Sequence, residues 1–210
     1  MTSHLVLLGD SIFDNHVYVA PEPAVVDQVR GELGTSWQVT LAAVDGDTTT
    51  GVNRQLCHVP IDATHLAVSA GGNDALHSAH LLEARVNTIG EAILRLATAK
   101  DRFRSNYENM VDTVLERRLP TALCTIYDAN YPEPHGTVIS AALSLFNDVI
   151  TRVAFGRGTA LIDLRLICDQ SADYANPIEP SSAGGGKIAR ALASFARAQT
   201  ACSRSTVFLS

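Results

Sequence analysis

The sequence predicts an α/β protein in which a five-stranded parallel sheet lies between two layers of helices. Strand-like and helix-like segments alternate along the chain, the pattern of a parallel sheet joined by helical crossovers. The first strand is apolar on both faces, as in the buried centre of such a sheet. Three strands also end in short polar or glycine-containing loops, where open α/β folds place their sites. We predict a single domain over residues 1–199 and a C-terminal tail over residues 200–210.

Each element in the first third of the chain has a local reason. Residues 5–8 are a continuous apolar run of strand length. A helix over residues 23–33 begins at prolines and stops at Gly34. Residues 37–44 form the second strand, and a short helix follows over residues 52–56.

The remaining elements continue the alternation. Residues 65–69 form the third strand, and periodic apolar positions over residues 81–119 predict two helices with a break near Lys100 and Asp101. The other predicted elements are strands over residues 121–127 and 160–164 and helices over residues 138–155 and 184–198, with an irregular proline-containing loop over residues 128–136.

Charge and composition exclude several classes of function. The net charge is −6, and the sixteen lysine and arginine residues are scattered, which is not the pattern of a nucleic-acid-binding surface. We find no leader-like N-terminus and no apolar stretch of about 20 residues, so we expect a cytoplasmic protein that does not interact with membranes. Composition does not predict an oligomeric state.

Three strand ends carry residues suited to chemistry. Gly9-Asp10-Ser11 follows the first strand, a loop containing Gly46 follows the second, and Gly71-Gly72-Asn73-Asp74 follows the third. Because parallel strands end at one edge of the sheet, these loops should meet there. Alternatively, all three are only tight turns, since glycine, aspartate and serine are common turn residues.

Taken together, the three loops resemble the first three sequence blocks of the SGNH, or GDSL, hydrolase family, and the resemblance extends over essentially the whole chain. It implies a flavodoxin-like sheet, a nucleophilic Ser11, and an oxyanion hole made by the backbone N–H of Ser11, the N–H of Gly46 and the amide of Asn73. Such converging donors stabilise the charge of a tetrahedral intermediate. Asp14, Asn15 and Asp74 flank these blocks and are candidate substrate-binding residues.

The fourth block departs from the family pattern. The family has an Asp-x-x-His pair before the last helix, whereas Asn176 and Glu179 occupy the two positions here. One explanation is that Glu179 is the general base, with its pKa raised by burial. A second is that His77, His16 or His135 reaches the pocket from another loop. A third is that the protein has lost hydrolysis and binds a small molecule.

Two other possibilities are set aside. Gly184-Gly185-Gly186-Lys187 lacks the first glycine and the final serine or threonine of a phosphate-binding loop, so we interpret it as a flexible start to the last helix. The aspartates at strand ends do not have the spacing of a metal site, and we expect neither a metal nor a cofactor. The sequence therefore predicts a serine hydrolase acting on a small-molecule ester, with a short acyl group favoured because no long lid is evident.

Overall fold

A computed structural model describes residues 3–198 and the backbone of residues 207–208, and it contains the predicted parallel sheet. Five parallel strands have the order β2-β1-β3-β4-β5, the flavodoxin-like order, and β8 pairs with β5 at the edge. A separate antiparallel hairpin is formed by β6 and β7. The strands are β1 (Ser3–Gly9), β2 (Trp37–Leu41), β3 (His65–Ser69), β4 (Thr121–Cys124), β5 (Ala160–Ile162), β6 (Tyr174–Asn176), β7 (Glu179–Pro180) and β8 (Val207–Phe208).

Helices cover both faces of the sheet, and the predicted three-layer α/β architecture is confirmed. They are α1 (His16–Val19), α2 (Val25–Leu33), α3 (Thr49–Gln55), α4 (Gly72–His77), α5 (Ile89–Leu115), α6 (His135–Arg157), α7 (Leu164–Ile167) and α8 (Ser182–Arg197), with short 3-10 helices at Leu56–His58, Ala79–Glu83 and Ser171–Asp173. Apart from residues 207–208, the predicted tail over residues 200–210 lies outside the described residues. That residues 1–199 form one domain stays a prediction.

The strand β1 shows why the sheet has two cores. Its successive side chains point to opposite faces. Leu5 and Leu7 pack with α2 and α8 on one side, whereas Val6 and Leu8 pack with α3, α5 and α6 on the other. The continuous apolar run in the sequence is therefore the pattern of a central strand buried on both faces.

The helix α5 differs from the prediction of two pieces. It is continuous through Lys100 and Asp101, so the predicted break is wrong. Lys100 Nζ lies 2.6 Å from Asp148 Oδ2 on α6, so the charged residue joins two helices without ending one. The helix begins late because the Thr88 side chain caps its N-terminus, accepting a hydrogen bond from the Glu91 N–H.

The helix α6 also corrects the sequence analysis. It begins at His135, earlier than predicted, and ends at Arg157, because Gly158 rather than Gly156 adopts the left-handed conformation that closes it. By length and composition alone it is apolar enough to cross a membrane, so the expectation that no stretch is long and apolar enough is wrong. Its buried residues, such as Val149 and Ile150, pack in the core beside the sheet.

Several predicted strands are shorter at their carboxyl ends than expected. β4 ends at Cys124 and β5 at Ile162 because side-chain bonds replace the ladder beyond them. Thr125 Oγ1 donates to Asp163 Oδ1 at 2.9 Å and accepts from the Leu164 N–H at 2.9 Å. The strand ends thus give way to loops at the edge where the sequence predicts a site.

The triple glycine lies within α8 and is not a flexible start to it. A Cβ at Gly184 would lie 2.2 Å from the backbone oxygen of Asp173. The missing side chain of Gly184 lets α8 pack closely against the segment that leads into the β6–β7 hairpin. Packing therefore explains Gly184, and the interpretation as a flexible segment is wrong.

Gly9 provides a test of this architecture. It has a φ of +130°, and a Cβ there would lie 1.7 Å from Ser69 O on the neighbouring strand. We predict that Gly9→Ala lowers the free energy of unfolding by roughly 2–6 kcal/mol, from backbone strain and overpacking. Urea unfolding measures the change.

Gly31→Ala is the matched control. Gly31 lies in α2, and a Cβ there has nothing within 4 Å. It should raise the free energy of unfolding by about 1 kcal/mol, because alanine favours helix over glycine. Equal stability of Gly9→Ala and the parent chain would contradict the close approach of β1 and β3.

Candidate active site

Ser11 lies in the turn that follows β1, and its position is fixed by bonds to two other elements. The Asp10 N–H donates to Ser69 O at 3.1 Å, which holds the turn against the end of β3. The Gln55 side chain brackets Gly9, accepting from its N–H at 2.8 Å and donating to its carbonyl at 2.7 Å. Gln55 is not among the predicted site residues, because Gly9 lies 46 positions away in the chain and the burial of Gln55 is seen only in the structure.

Glu179 lies beside Ser11 although 168 positions separate them in the chain. Ser11 Oγ donates to Glu179 Oε1 at 3.1 Å, and both residues are buried. This is the contact that a nucleophile and its base require. The structure thus brings together the two residues predicted as catalytic.

The backbone on both sides of Glu179 is held in place. Asn15 Nδ2 donates to Pro180 O at 3.3 Å, and the Tyr127 hydroxyl donates to Ile178 O at 2.7 Å. Asn176, in the position of the family's aspartate, accepts from the Ile178 N–H at 2.9 Å and shapes the hairpin turn. No hydrogen bond joins Asn176 to the Glu179 carboxyl in the described part of the chain, so it does not replace the aspartate as an orienting partner.

The environment of Glu179 changes its acidity. Burial raises the pKa of its carboxyl to about 7, against the opposing effect of the Ser11 hydrogen bond, and the charge of Asp45 adds to the rise. Its second oxygen, Oε2, is buried and has no hydrogen-bond partner among the described residues. A carboxylate with one free oxygen and a pKa near neutrality is a stronger base than an exposed one.

Asp10 is the second buried carboxyl in this cluster. Burial raises its pKa to about 8; the Ile12 N–H bond, at 3.2 Å, opposes that rise, and the charges of Glu179 and Asp74 add to it. At neutral pH Asp10 is therefore mainly uncharged and Glu179 is partly ionised. Asp10 therefore acts as a local hydrogen-bond acceptor that shapes the turn after β1.

The second and third loops meet at Asn73. Asn73 Nδ2 donates to Asp47 O at 2.9 Å and the side chain lines the cavity at Ser11. An amide has two N–H groups, so one holds the loop and the other is available to a ligand. Gly46 is exposed, has a φ of +80° and does not line the cavity. Its predicted part in the oxyanion hole, and that of the Ser11 N–H, stay predictions.

The residues predicted to bind substrate have other contacts. Asn15 is 0% exposed and spans the Val25 N–H and Pro180 O, so the prediction that it touches substrate is wrong. Asp14 does not line the cavity and accepts from the Asp45 N–H at 3.1 Å. Asp74 accepts from both the N–H and the hydroxyl of Thr49 and does not line the cavity either. These three side chains brace the loops because they are the nearest acceptors and donors for backbone groups.

Among the described residues, none of the three alternative histidines forms a hydrogen bond with Ser11 or Glu179. His16 and His77 are exposed and do not line the cavity that contains Ser11. His135 does line it, at the N-terminus of α6, where its ring packs edge-on against Tyr131. Within the described residues, no histidine forms a hydrogen bond with Ser11 or Glu179, which favours Glu179 as the base.

Ser11 opens into a cavity of about 290 Å³ whose walls are largely apolar. The N-terminal halves of α5 and α6 form two of these walls, and their C-terminal halves bury the same faces against the sheet. We call this space the apolar cavity; the apolar side chains that line it include Leu82, Leu96, Ile126, Ile139, Leu143 and Phe146. In the described residues there is no group of three potential metal ligands at this or any other site.

The chain belongs to the family described as GDSL-like lipase/acylhydrolase, which it matches over residues 7–185. That membership supports ester hydrolysis in general. No curated protein matches the sequence.

Solved structures share the fold at low sequence identity. A phospholipase A1 from Streptomyces albidoflavus NA297 is 19% identical, with a TM-score of 0.69 over 92% of this chain and 99% of that one. A lipase from a goat rumen metagenome is 20% identical, with a TM-score of 0.72 over 94% and 99%. An acetylxylan esterase from Geobacillus stearothermophilus is 17% identical, with a TM-score of 0.62 over 96% and 97%. These likenesses establish the fold.

The position of Asn73 leads to a test of its amide. We predict that Asn73→Ala lowers kcat by ~100–1,000-fold on a short-chain aryl ester and changes KM less, because the amide binds charge that develops in the transition state. Asn109→Ala, at an exposed site on α5, is the control and should leave both constants unchanged. An effect of Asn73→Ala on KM alone would mean that the amide binds ground-state substrate.

Proposed function

We propose that this protein hydrolyses an ester of a small molecule through an acyl-Ser11 intermediate, with Glu179 as the general base. The observation that carries the proposal is the 3.1 Å hydrogen bond from Ser11 Oγ to Glu179 Oε1 at the edge of an apolar cavity. Family membership supports ester chemistry independently of this contact. The cytoplasmic location and the absence of membrane and nucleic-acid partners stay predictions.

The contacts support a two-step reaction. Ionised Glu179 accepts the Ser11 proton as Oγ attacks the ester carbonyl, and Asn73 donates to the oxygen that becomes negative. When the intermediate collapses, Glu179 returns the proton to the departing alcohol. A water molecule then attacks the acyl-serine with Glu179 again as base, which releases the acid and restores Ser11.

A pKa near 7 answers the main objection to a glutamate base. A carboxyl with its ordinary value is ionised at neutral pH and weakly basic toward a hydroxyl. With a pKa of about 7, the group is more basic and is still ionised in a large fraction of molecules at neutral pH. The buried, unpartnered Oε2 keeps the charge from being dispersed by further hydrogen bonds.

The apolar cavity supports the acyl side of the substrate. A volume of about 290 Å³ corresponds to roughly ten water-sized groups. A short acyl group, the preference expected from the sequence, fits this space, and a chain of roughly eight to ten carbons fits as well. We therefore propose that acyl groups up to medium length are accepted.

Ser11 provides the first test. We predict that Ser11→Ala abolishes hydrolysis of 4-nitrophenyl butyrate and that a serine-reactive phosphonate adds one adduct to the parent chain and none to the variant, because the nucleophile is gone. Mass spectrometry and thermal melting check labelling and folding. Ser144→Ala, at an exposed position on α6, is the control.

Two outcomes would contradict the proposal. Equal turnover by the parent chain and Ser11→Ala would end the assignment of hydrolysis to this site. An unlabelled, inactive but folded parent chain would favour the alternative, a small-molecule-binding protein on the same fold.

Glu179 provides the second test. We predict that Glu179→Gln keeps the shape of the site but lowers kcat by ~100–10,000-fold, since the amide cannot accept the proton. For the parent chain kcat/KM should rise with pH around the value of about 7 and level off above it, because the base works in its ionised form.

The matched controls are His16→Gln, His77→Gln and His135→Gln, each of which should keep most of the activity on 4-nitrophenyl butyrate because none forms a hydrogen bond with Ser11 or Glu179 among the described residues. If Glu179→Gln stayed active while one of these variants was inactive, a histidine would be the base and Glu179 an orienting residue.

A further inference from the structure

A second cavity, of about 390 Å³, adjoins the apolar cavity on the outer side of α5. It lies between α5 and the segment of residues 74–81, and Ser78, His80, Ala99 and Phe146 line both cavities. We call the second cavity the basic groove; its polar lining includes His77, His80, Arg95, Thr98, Arg102 and Asn106.

The helix α5 arranges these side chains in one stripe. Arg95, Thr98, Arg102 and Asn106 follow one another at spacings of three or four residues, so they share a face of the helix. The two arginines are two turns apart, about 10 Å along the axis. The groove therefore presents two guanidinium groups, with the amide of Asn106 one turn beyond Arg102.

The charges of the groove are only partly neutralised. Arg102 forms no ion pair with any residue that the structure describes. Arg95 pairs with Glu91 at 2.6 Å, an exposed contact that contributes little and that a ligand can replace. Asp74 also lines the groove and brings one negative charge to it, so the two arginines leave an excess of one positive charge among the lining residues; the oxygens of Asp74 accept hydrogen bonds from Thr49. The net charge of the chain is −6, so a cluster of positive charges in this groove suggests that it binds an anionic group.

We propose that the basic groove binds a phosphate group carried by the ester substrate while the acyl chain occupies the apolar cavity. Arginine forks match the several acceptor oxygens of a phosphate, and the Asn106 amide supplies a further donor. The residues shared by the two cavities make one continuous amphipathic site. The inference rests on the proposed function, since it concerns the same ester.

The test compares two substrates that differ only in the phosphate. The probes are 1-octanoylglycerol and 1-octanoylglycerol 3-phosphate, below their micelle concentrations, with release of octanoate measured. The parent chain should have a KM about tenfold lower for the phosphate-bearing ester, the size of one charge-assisted contact. The preference should shrink as salt is added, because exposed charges are screened.

Arg102→Gln and the double variant Arg95→Gln/Arg102→Gln should bring the ratio of the two KM values to about one. Arg104→Gln is the matched control: Arg104 pairs with Asp101 and lines neither cavity, so the tenfold ratio should persist. Arg102 is exposed, so its substitution should not impair folding.

Four results would overturn the inference. Equal KM values in the parent chain, or a preference that survives in the double variant, would mean that the groove does not bind the substrate's phosphate. Competition by inorganic phosphate without any preference for the phosphate-bearing ester would assign the groove to free phosphate. If the parent chain hydrolysed neither ester and Ser11 resisted the phosphonate, the proposed function would fail and the inference with it.

Discussion

The contact on which the site depends is the hydrogen bond between Ser11 and Glu179, which joins the first turn of the chain to the hairpin before the last helix. A buried carboxyl is costly unless it has partners, so the fold must hold Glu179 where Ser11 can provide one. Asn15 and Tyr127 do this by binding the backbone on either side of Glu179. The close packing of Gly184 in α8 against the backbone of Asp173 also holds the β6–β7 hairpin, which carries Glu179. Hydrogen bonds to the backbone on both sides of Glu179 thus fix its position relative to Ser11.

The same burial links catalysis to stability. Glu179 and Asp10 both have pKa values raised by burial, to about 7 and about 8. A carboxyl with a raised folded-state pKa contributes stability that is fully present below its unfolded pKa, near 4, and that is lost as the pH rises through its folded value. The protein therefore loses stability over the pH range in which Glu179 becomes an effective base.

Sequence patterns predicted the sheet because apolar runs and glycine-containing ends are local properties. The register of the blocks also placed Glu179 next to Ser11, since position in the family pattern is a property of sequence order. The roles of Asn15 and Gln55 could not be predicted, because each depends on backbone groups that lie distant in sequence. The sequence predicted a break in α5 at Lys100 and Asp101, but a charged residue such as Lys100 can also pair with a neighbouring helix without ending its own. The apolar cavity at Ser11 could not be predicted either, because its walls are formed by α5 and α6 together, and a local sequence pattern does not show how two helices pack.

The central claim is that Glu179 is the base, and its titration in the free protein is the most direct measurement. With glutamate labelled at the carboxyl carbon by ¹³C, the resonance that disappears in Glu179→Gln identifies this group, and its chemical shift is followed against pH. We predict a titration midpoint near 7 for Glu179, because burial raises the pKa of its carboxyl. A midpoint near the ordinary value of 4.5 would contradict it, because a carboxylate of that acidity cannot activate Ser11 effectively.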